Sequence, residues 1–421
     1  MSGSPGEGAE RLAGGSRRRA LAIVAAGLGS LYLVIEDGSP GWRLLRAGVV
    51  VAVGLLVLTA LRRDGGDGPS RWVLVLLGGV AAAAGVGIAL PHLVKEGLAA
   101  DTVAGFVVLV GGLAMFAFGV ATLARVRRWP ARMLVVICSV VLLALGLFVV
   151  GQAVAATNVP RTRLGTTTPA QLGMEYSEVR METSDGVSVA GWYVPSRNGA
   201  AVVLRHGSGS TRSATLPHAA VLARHGYGVL MMDARGHGRS GGRAMDFGWY
   251  GDADIAAGVN YVSDRPEVDE GAVAVLGLSM GGEEALGAAA SDERIAAVVA
   301  EGVGQRQAAD KRWLADEFGA RGAAQLQLEQ LMYGLTDLLT DAGPPTALAE
   351  AVERAAPRPV LLIAGGRTTD EPEVARRLEA RSESVERWVV AETGHVGALR
   401  AMPDEWERRV IGFLDRALSV G

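Results

Sequence analysis

Ser279 lies in the pentapeptide Gly277-Leu278-Ser279-Met280-Gly281, at the end of the apolar run "GAVAVLGLS" and just before the helix-patterned "GGEEALGAAAS". G-x-S-x-G at a strand-to-helix corner places the serine on a tight, strained bend. Its hydroxyl is then exposed above the sheet edge, beside the free N–H groups of the helix start. The small flanking residues are needed because strand and helix approach closely there. Such a corner suits nucleophilic attack on an acyl carbonyl. The plainer use of the same residues is a glycine-rich turn in which Ser279 caps the helix.

The elements that must position this corner follow from periodicity. "YSEVRMET" and "VSVAGWYVP" flank Asp185-Gly186 and predict a hairpin. Beyond it, "AAVVLRHG", "YGVLMMD", "GAVAVLGLS", "IAAVVAEG", "RPVLLIAGG" and "VERWVVAE" are strand-like. Between and after them, "HAAVLARHG", "DADIAAGVNYVSDR", "GGEEALGAAAS" and "EWERRVIGFLDRAL" are helix-like. This alternation predicts an α/β domain, a mostly parallel sheet with helices on both faces. A helical insert over about 305–356 is expected to form a cap above the carboxyl ends of the strands, where open α/β sheets bind ligands.

From about Glu175 to the C-terminus, the chain resembles the α/β-hydrolase fold. The resemblance rests on "LRHGSGS" (204–210), "DARGHGRSGG" (233–242), "GLSMGG" (277–282) and "ETGHVGAL" (392–399), in family order. It implies a serine hydrolase, of the kind that includes esterases, lipases, thioesterases and some peptidases. The implied nucleophile is Ser279. The family order of nucleophile, acid and histidine makes His395 the implied base, because the other five histidines, His92, His206, His218, His225 and His237, precede Ser279. The acid is expected in the loop after "PVLLIAGG", where the spacing departs from the commoner G-x-x-D. Asp370 is preferred there, Glu371 is the alternative, and Glu301 is a third position used by some relatives. Asp370 or Glu371 could equally cap the next helix, with Pro372 in its first turn. Backbone N–H groups of Met280 and Ser208 are the expected oxyanion donors. His206 and His237 are expected to hold loop backbone, and Arg205 either to form a structural salt bridge or to bind an anionic substrate group.

Composition bounds the rest. Apolar residues make up 49% of 421, and the excess lies before about residue 155. Residues 1–16 are expected to be disordered. Residues 17–157 are expected to form a membrane region of about five transmembrane helices, from apolar blocks near 20–35, 44–61, 72–90, 102–124 and 133–156. The first block also resembles a signal peptide, but no small-residue cleavage site follows it. Arginines cluster before the first block, between the second and third, and between the fourth and fifth. That bias predicts a cytoplasmic N-terminus and an extracytoplasmic hydrolase domain in the cell membrane. The block interiors lack ionisable side chains, which favours an anchor over a transporter. Residues 158–174 are the expected linker and 175–421 the hydrolase domain. A net charge of −3 gives no case for nucleic acid. With Cys138 as the one cysteine and no phosphate or dinucleotide loop, no cofactor and no metal site are expected. The expected partners are a small-molecule or lipid acyl substrate and membrane lipid. Oligomeric state is left open.

Overall fold

The computed structural model describes residues 69–125 and 128–420. The first two apolar blocks of the sequence lie outside these residues. The chain divides into two compact units. Of the described residues, one takes those up to Asn158 together with Gln327–Asp341, and the other takes Val159–Leu326 with those from Ala342 onward.

In the first unit, helices Pro69–Glu96, Ala100–Leu123 and Trp129–Gly146 match the last three apolar blocks. The third continues through a π turn, Leu147–Gly151, into Gln152–Thr157. Three stretches, Arg71–Glu96, Ala100–Leu123 and Trp129–Thr157, are long and apolar enough to cross a membrane. The first two pack backbone to backbone: a Cβ on Gly112 would lie 2.4 Å from the Ala82 nitrogen. Small residues permit that close approach of two helix backbones. Trp129–Thr157 leaves Leu134 63%, Ile137 54% and Val140 57% exposed, an apolar surface that water would not tolerate as one patch. The Thr122 and Ser139 hydroxyls donate to carbonyls of their own helices, Gly119 and Val135.

The second unit is built on one eight-stranded sheet of order β1-β2-β4-β3-β5-β6-β7-β8. These strands are β1 Ser177–Glu182, β2 Ser188–Val194, β3 Ala201–Arg205, β4 Gly228–Met232, β5 Val273–Leu278, β6 Ile295–Glu301, β7 Val360–Gly365 and β8 Val385–Val390. The β1–β2 hairpin is antiparallel and joins β4 antiparallel; all later pairings are parallel. Central strands alternate between two cores. Ala201, Val203, Val273 and Val275 face the helices Gly251–Ser263, Met280–Ser291, Leu348–Ala355 and Glu371–Glu379. Val202, Leu204, Ala274 and Leu276 face Leu216–Arg224 and Pro403–Leu418. Burial on both faces explains why these strands are unbroken apolar runs in the sequence.

The expected insert, about 305–356, is mostly helical. Its last helix, Leu348–Ala355, buries Leu348, Ala351, Val352 and Ala355 in the sheet's core as a crossover helix. Its middle, Gln327–Asp341, belongs to the helical unit, where Leu339 packs with Ala84, Ile88 and Val154. The expected linker, too, is docked from Val159 onward. The Thr162 carbonyl accepts the Gly238 N–H at 2.8 Å, Arg161 donates to the Ser240 carbonyl, and Leu164 packs on the core.

Candidate active site

Between β5 and the helix Met280–Ser291, Ser279 adopts φ 55°, ψ −123°, a conformation rarely open to a residue with a Cβ. The surroundings enforce it. The Ser279 N–H donates to the Glu301 carbonyl at 2.7 Å, and its carbonyl accepts the Gly282 N–H at 2.8 Å. The two motif glycines are steric necessities: a Cβ on Gly277 would lie 2.0 Å from the Gly281 oxygen, and one on Gly281 2.5 Å from the Arg205 oxygen. The Ser279 side chain makes no capping bond to its helix. Its hydroxyl instead lies 2.8 Å from His395 Nε2.

His395 follows β8, and its Nδ1 lies 2.7 Å from Glu371 Oε1. A carboxylate can only accept, so Nδ1 carries the proton and Nε2 is free to accept from Ser279. The second Glu371 oxygen accepts the Gly365 N–H at 2.8 Å, which locks the carboxylate beneath the end of β7. The preference for Asp370 is thus corrected. Asp370 is the exposed N-cap of the helix Glu371–Glu379, whereas Glu371, its first residue, is buried and turned back toward His395. Adjacent residues cannot share a direction, and one residue of helix register decides between them.

Glu301 does not touch His395. One of its oxygens accepts the Ala398 N–H at 2.8 Å and the other the Trp406 indole N–H at 3.3 Å, anchoring the segment just after His395. Two further residues had no clear sequence signal. Gly302 makes room for the imidazole, since a Cβ there would lie 3.1 Å from His395 Nδ1. Val396 sits at φ 49°, a strained setting for a β-branched side chain directly after the imidazole.

The loop after β3 passes under Ser279: a Cβ on Gly207 would lie 3.0 Å from the Ser279 Cβ. Ser208 follows, its hydroxyl bonded to Asp246. Met280 opens the helix after Ser279, and neither its N–H nor that of Ser208 is used in a hydrogen bond within the described residues. The loops are held from behind as the sequence led us to expect. His206 Nδ1–H donates to the Gly207 carbonyl at 2.8 Å, and its Nε2 accepts the Ala234 N–H at 2.9 Å. Its ring packs 5.2 Å from that of His237. Arg205 is fully buried between Glu284 and Asp254. In "DARGHGRSGG", Asp233 accepts the backbone N–H groups of Arg212 and Arg239, and the Ser240 hydroxyl donates to the Asp233 carbonyl.

Electrostatics separate the histidines. The hydrogen bond to Glu371, opposed by partial burial, raises His395 above the ordinary imidazole value. Burial pushes His206 well below it, so His206 is a neutral clamp. Glu283, buried in the first turn after Ser279, is pushed up to about 7 by burial, although its carboxyl accepts N–H groups from Gly304 and Gln305. A cleft of about 650 Å³ lined by Trp313, Leu348 and Arg377 includes neither Ser279 nor His395. No cluster of metal-ligating side chains occurs beside Ser279 among the described residues.

Comparison with known proteins bears on the same segment. The family model for serine aminopeptidase, S33, matches residues 196–321, which include Ser279 but stop short of Glu371 and His395. The polyketide transferase grgF of Penicillium sp is 35% identical over 135 residues, 30% of this chain and 44% of the relative. The thiohydrolase aneE of Aspergillus aculeatus is 32% identical over 133 residues, 30% of this chain and 40% of the relative. The chain therefore spans less than half the length of either. A solved structure of the Pyrococcus furiosus esterase Pf2001 superposes with TM-score 0.50 at 28% identity, covering 62% of this chain and 97% of that one. With the sheet order and the strained corner at Ser279, these likenesses make the second unit an α/β-hydrolase fold.

Proposed function

We propose that the protein is a membrane-anchored serine hydrolase that cleaves acyl esters or thioesters through Ser279, His395 and Glu371. The carrying observation is the continuous chain of hydrogen bonds from the Ser279 hydroxyl through His395 to Glu371, 2.8 and 2.7 Å. His395 Nε2 takes the hydroxyl proton as Ser279 Oγ attacks the acyl carbonyl. Glu371 holds the required tautomer and balances the imidazolium that forms. The backbone N–H groups of Met280 and Ser208 receive the oxyanion, each worth roughly 10²–10³ in rate. The tetrahedral intermediate collapses as His395 returns the proton to the leaving oxygen or sulfur. Water, deprotonated by His395, then attacks the acyl-enzyme, and loss of Ser279 Oγ releases the acid.

The apolar helices support membrane attachment, and the arginine bias supports an extracytoplasmic domain. Attachment makes lipidic acyl groups attractive substrates. Amide hydrolysis is the second reading, favoured by the match to the serine aminopeptidase model. The test is turnover by the full chain in detergent across matched p-nitrophenyl esters, thioesters and aminoacyl amides. Esters and thioesters of one acyl group should exceed the amide in kcat/KM; the reverse order selects the peptidase reading, and no turnover of any substrate rejects both.

A further inference from the structure

We propose that His92, Glu96 and Asp101 bind a divalent transition cation, best matched by Zn²⁺, across the ends of the helices Pro69–Glu96 and Ala100–Leu123. The residues come together through local geometry. His92 and Glu96 are four apart, one helical turn along a single face. The first helix ends at Gly97, whose φ of +73° turns the chain and whose N–H closes onto the Leu93 carbonyl. The Thr102 hydroxyl donates to the Gly97 carbonyl at 2.7 Å and fixes the turn. Asp101 then stands in the first turn of the second helix, facing the other two. One donor atom from each of the three lies within 4.8 Å of the others.

His92 supplies the independent indication. It is 3% exposed, and its Nδ1–H donates to the Ile88 carbonyl at 2.9 Å. That bond sets the tautomer and leaves Nε2, 3.6 Å from Asp101 Oδ2, with its lone pair free for a cation, the arrangement that orients a metal-binding imidazole. That separation is too long for a hydrogen bond. Two donors about 2.0–2.1 Å from one tetrahedral ion lie roughly 3.4 Å apart, so small side-chain movements seat a cation between them. One imidazole with two carboxylates suits Zn²⁺ and its first-row neighbours. Mg²⁺ and Ca²⁺ prefer all-oxygen shells. Water completes the fourth position. The sequence hides this group because H-x₃-E-x₄-D has no metal-finger spacing and is assembled by the turn.

The test uses the full chain in detergent, stripped with a chelator and titrated with Co²⁺ and then Zn²⁺. Wild type should bind one Co²⁺ with the strong visible absorption of four-coordination, and Zn²⁺ should displace it. Glu96→Gln, at an exposed position, and Asp101→Asn should each weaken that site at least tenfold and abolish the Zn²⁺-dependent rise in Tm. Binding and Tm shift unchanged in both variants would place the ion elsewhere, for example at His395, and overturn the proposal. Ca²⁺ competing as well as Zn²⁺ would overturn the assigned class of cation.

Discussion

Replacing Glu371 by Gln changes one charge at a buried position and should disable the site through proton placement. The Gly365 N–H demands an acceptor and lies 2.8 Å from one Glu371 oxygen. In Glu371→Gln the amide oxygen satisfies that donor, so the NH₂ group faces His395 Nδ1. Nδ1 must then be the acceptor and Nε2 carries the proton toward Ser279, which is the wrong tautomer for a base. Loss of orientation and charge in such a triad lowers kcat about 10³–10⁴-fold, roughly 4–5.5 kcal/mol. Asp370→Asn alters an exposed cap that makes no side-chain capping bond, and should stay within about threefold of wild type.

The pH profile separates this mechanism from misfolding. In the proposed mechanism His395 acts only when neutral, and the hydrogen bond to Glu371 raises its pKa above the ordinary 6.5. Wild-type kcat/KM should therefore fall as pH drops through a value above 6.5. In Glu371→Gln the stabilising hydrogen bond is gone, so the residual activity should keep its acid limb to a lower pH. The assay is p-nitrophenyl butyrate hydrolysis from pH 5 to 9, with Tm recorded for each variant. A folded Glu371→Gln protein within tenfold of wild type, or an Asp370→Asn protein as impaired as Glu371→Gln, would refute the assignment.

Glu283 gives a stability signature of opposite sense. Burial raises it from 4.5 to about 7, so the folded state holds a proton that the unfolded chain releases across that interval. Its neutral form leaves stability intact below about pH 4.5, and stability is lost as pH rises toward 7, on the order of 3 kcal/mol. Glu283→Gln keeps an oxygen for the Gly304 and Gln305 N–H groups and should flatten the fall in Tm between pH 5 and 7; an unchanged slope contradicts the burial account. Gly277→Ala places a Cβ 2.0 Å from the Gly281 oxygen, backbone against backbone. It should lower Tm by several degrees and separate Ser279 from His395, so wild-type Tm and activity would count against the steric reading of the motif.

Much of the sheet was legible because parallel strands buried on both faces leave apolar runs such as "AVAVLGL", and glycine or polar breaks separate them from helices. Ser279 was legible because its flanking glycines are steric requirements of the bend. His395 was singled out by chain order together with its place in "ETGHVGAL". The partner of His395 was not, since Asp370 and Glu371 differ by one position at a helix start, and only the fold decides which side chain turns inward. The setting of the insert's last helix was hidden for a related reason. Leu348–Ala355 has the amphipathic pattern of any surface helix, and nothing local says that its apolar stripe meets the sheet. The left-handed backbone of Val396 runs against the local preference of a β-branched residue, so the sequence carried no sign of it.

Ser279 as the acyl-accepting oxygen is tested most directly by fluorophosphonate labelling of the full chain, followed by mass mapping of the modified peptide. Stoichiometric modification at Ser279, lost in Ser279→Ala, is the predicted result. Undiminished labelling of Ser279→Ala, or a modified residue elsewhere in the chain, would contradict it.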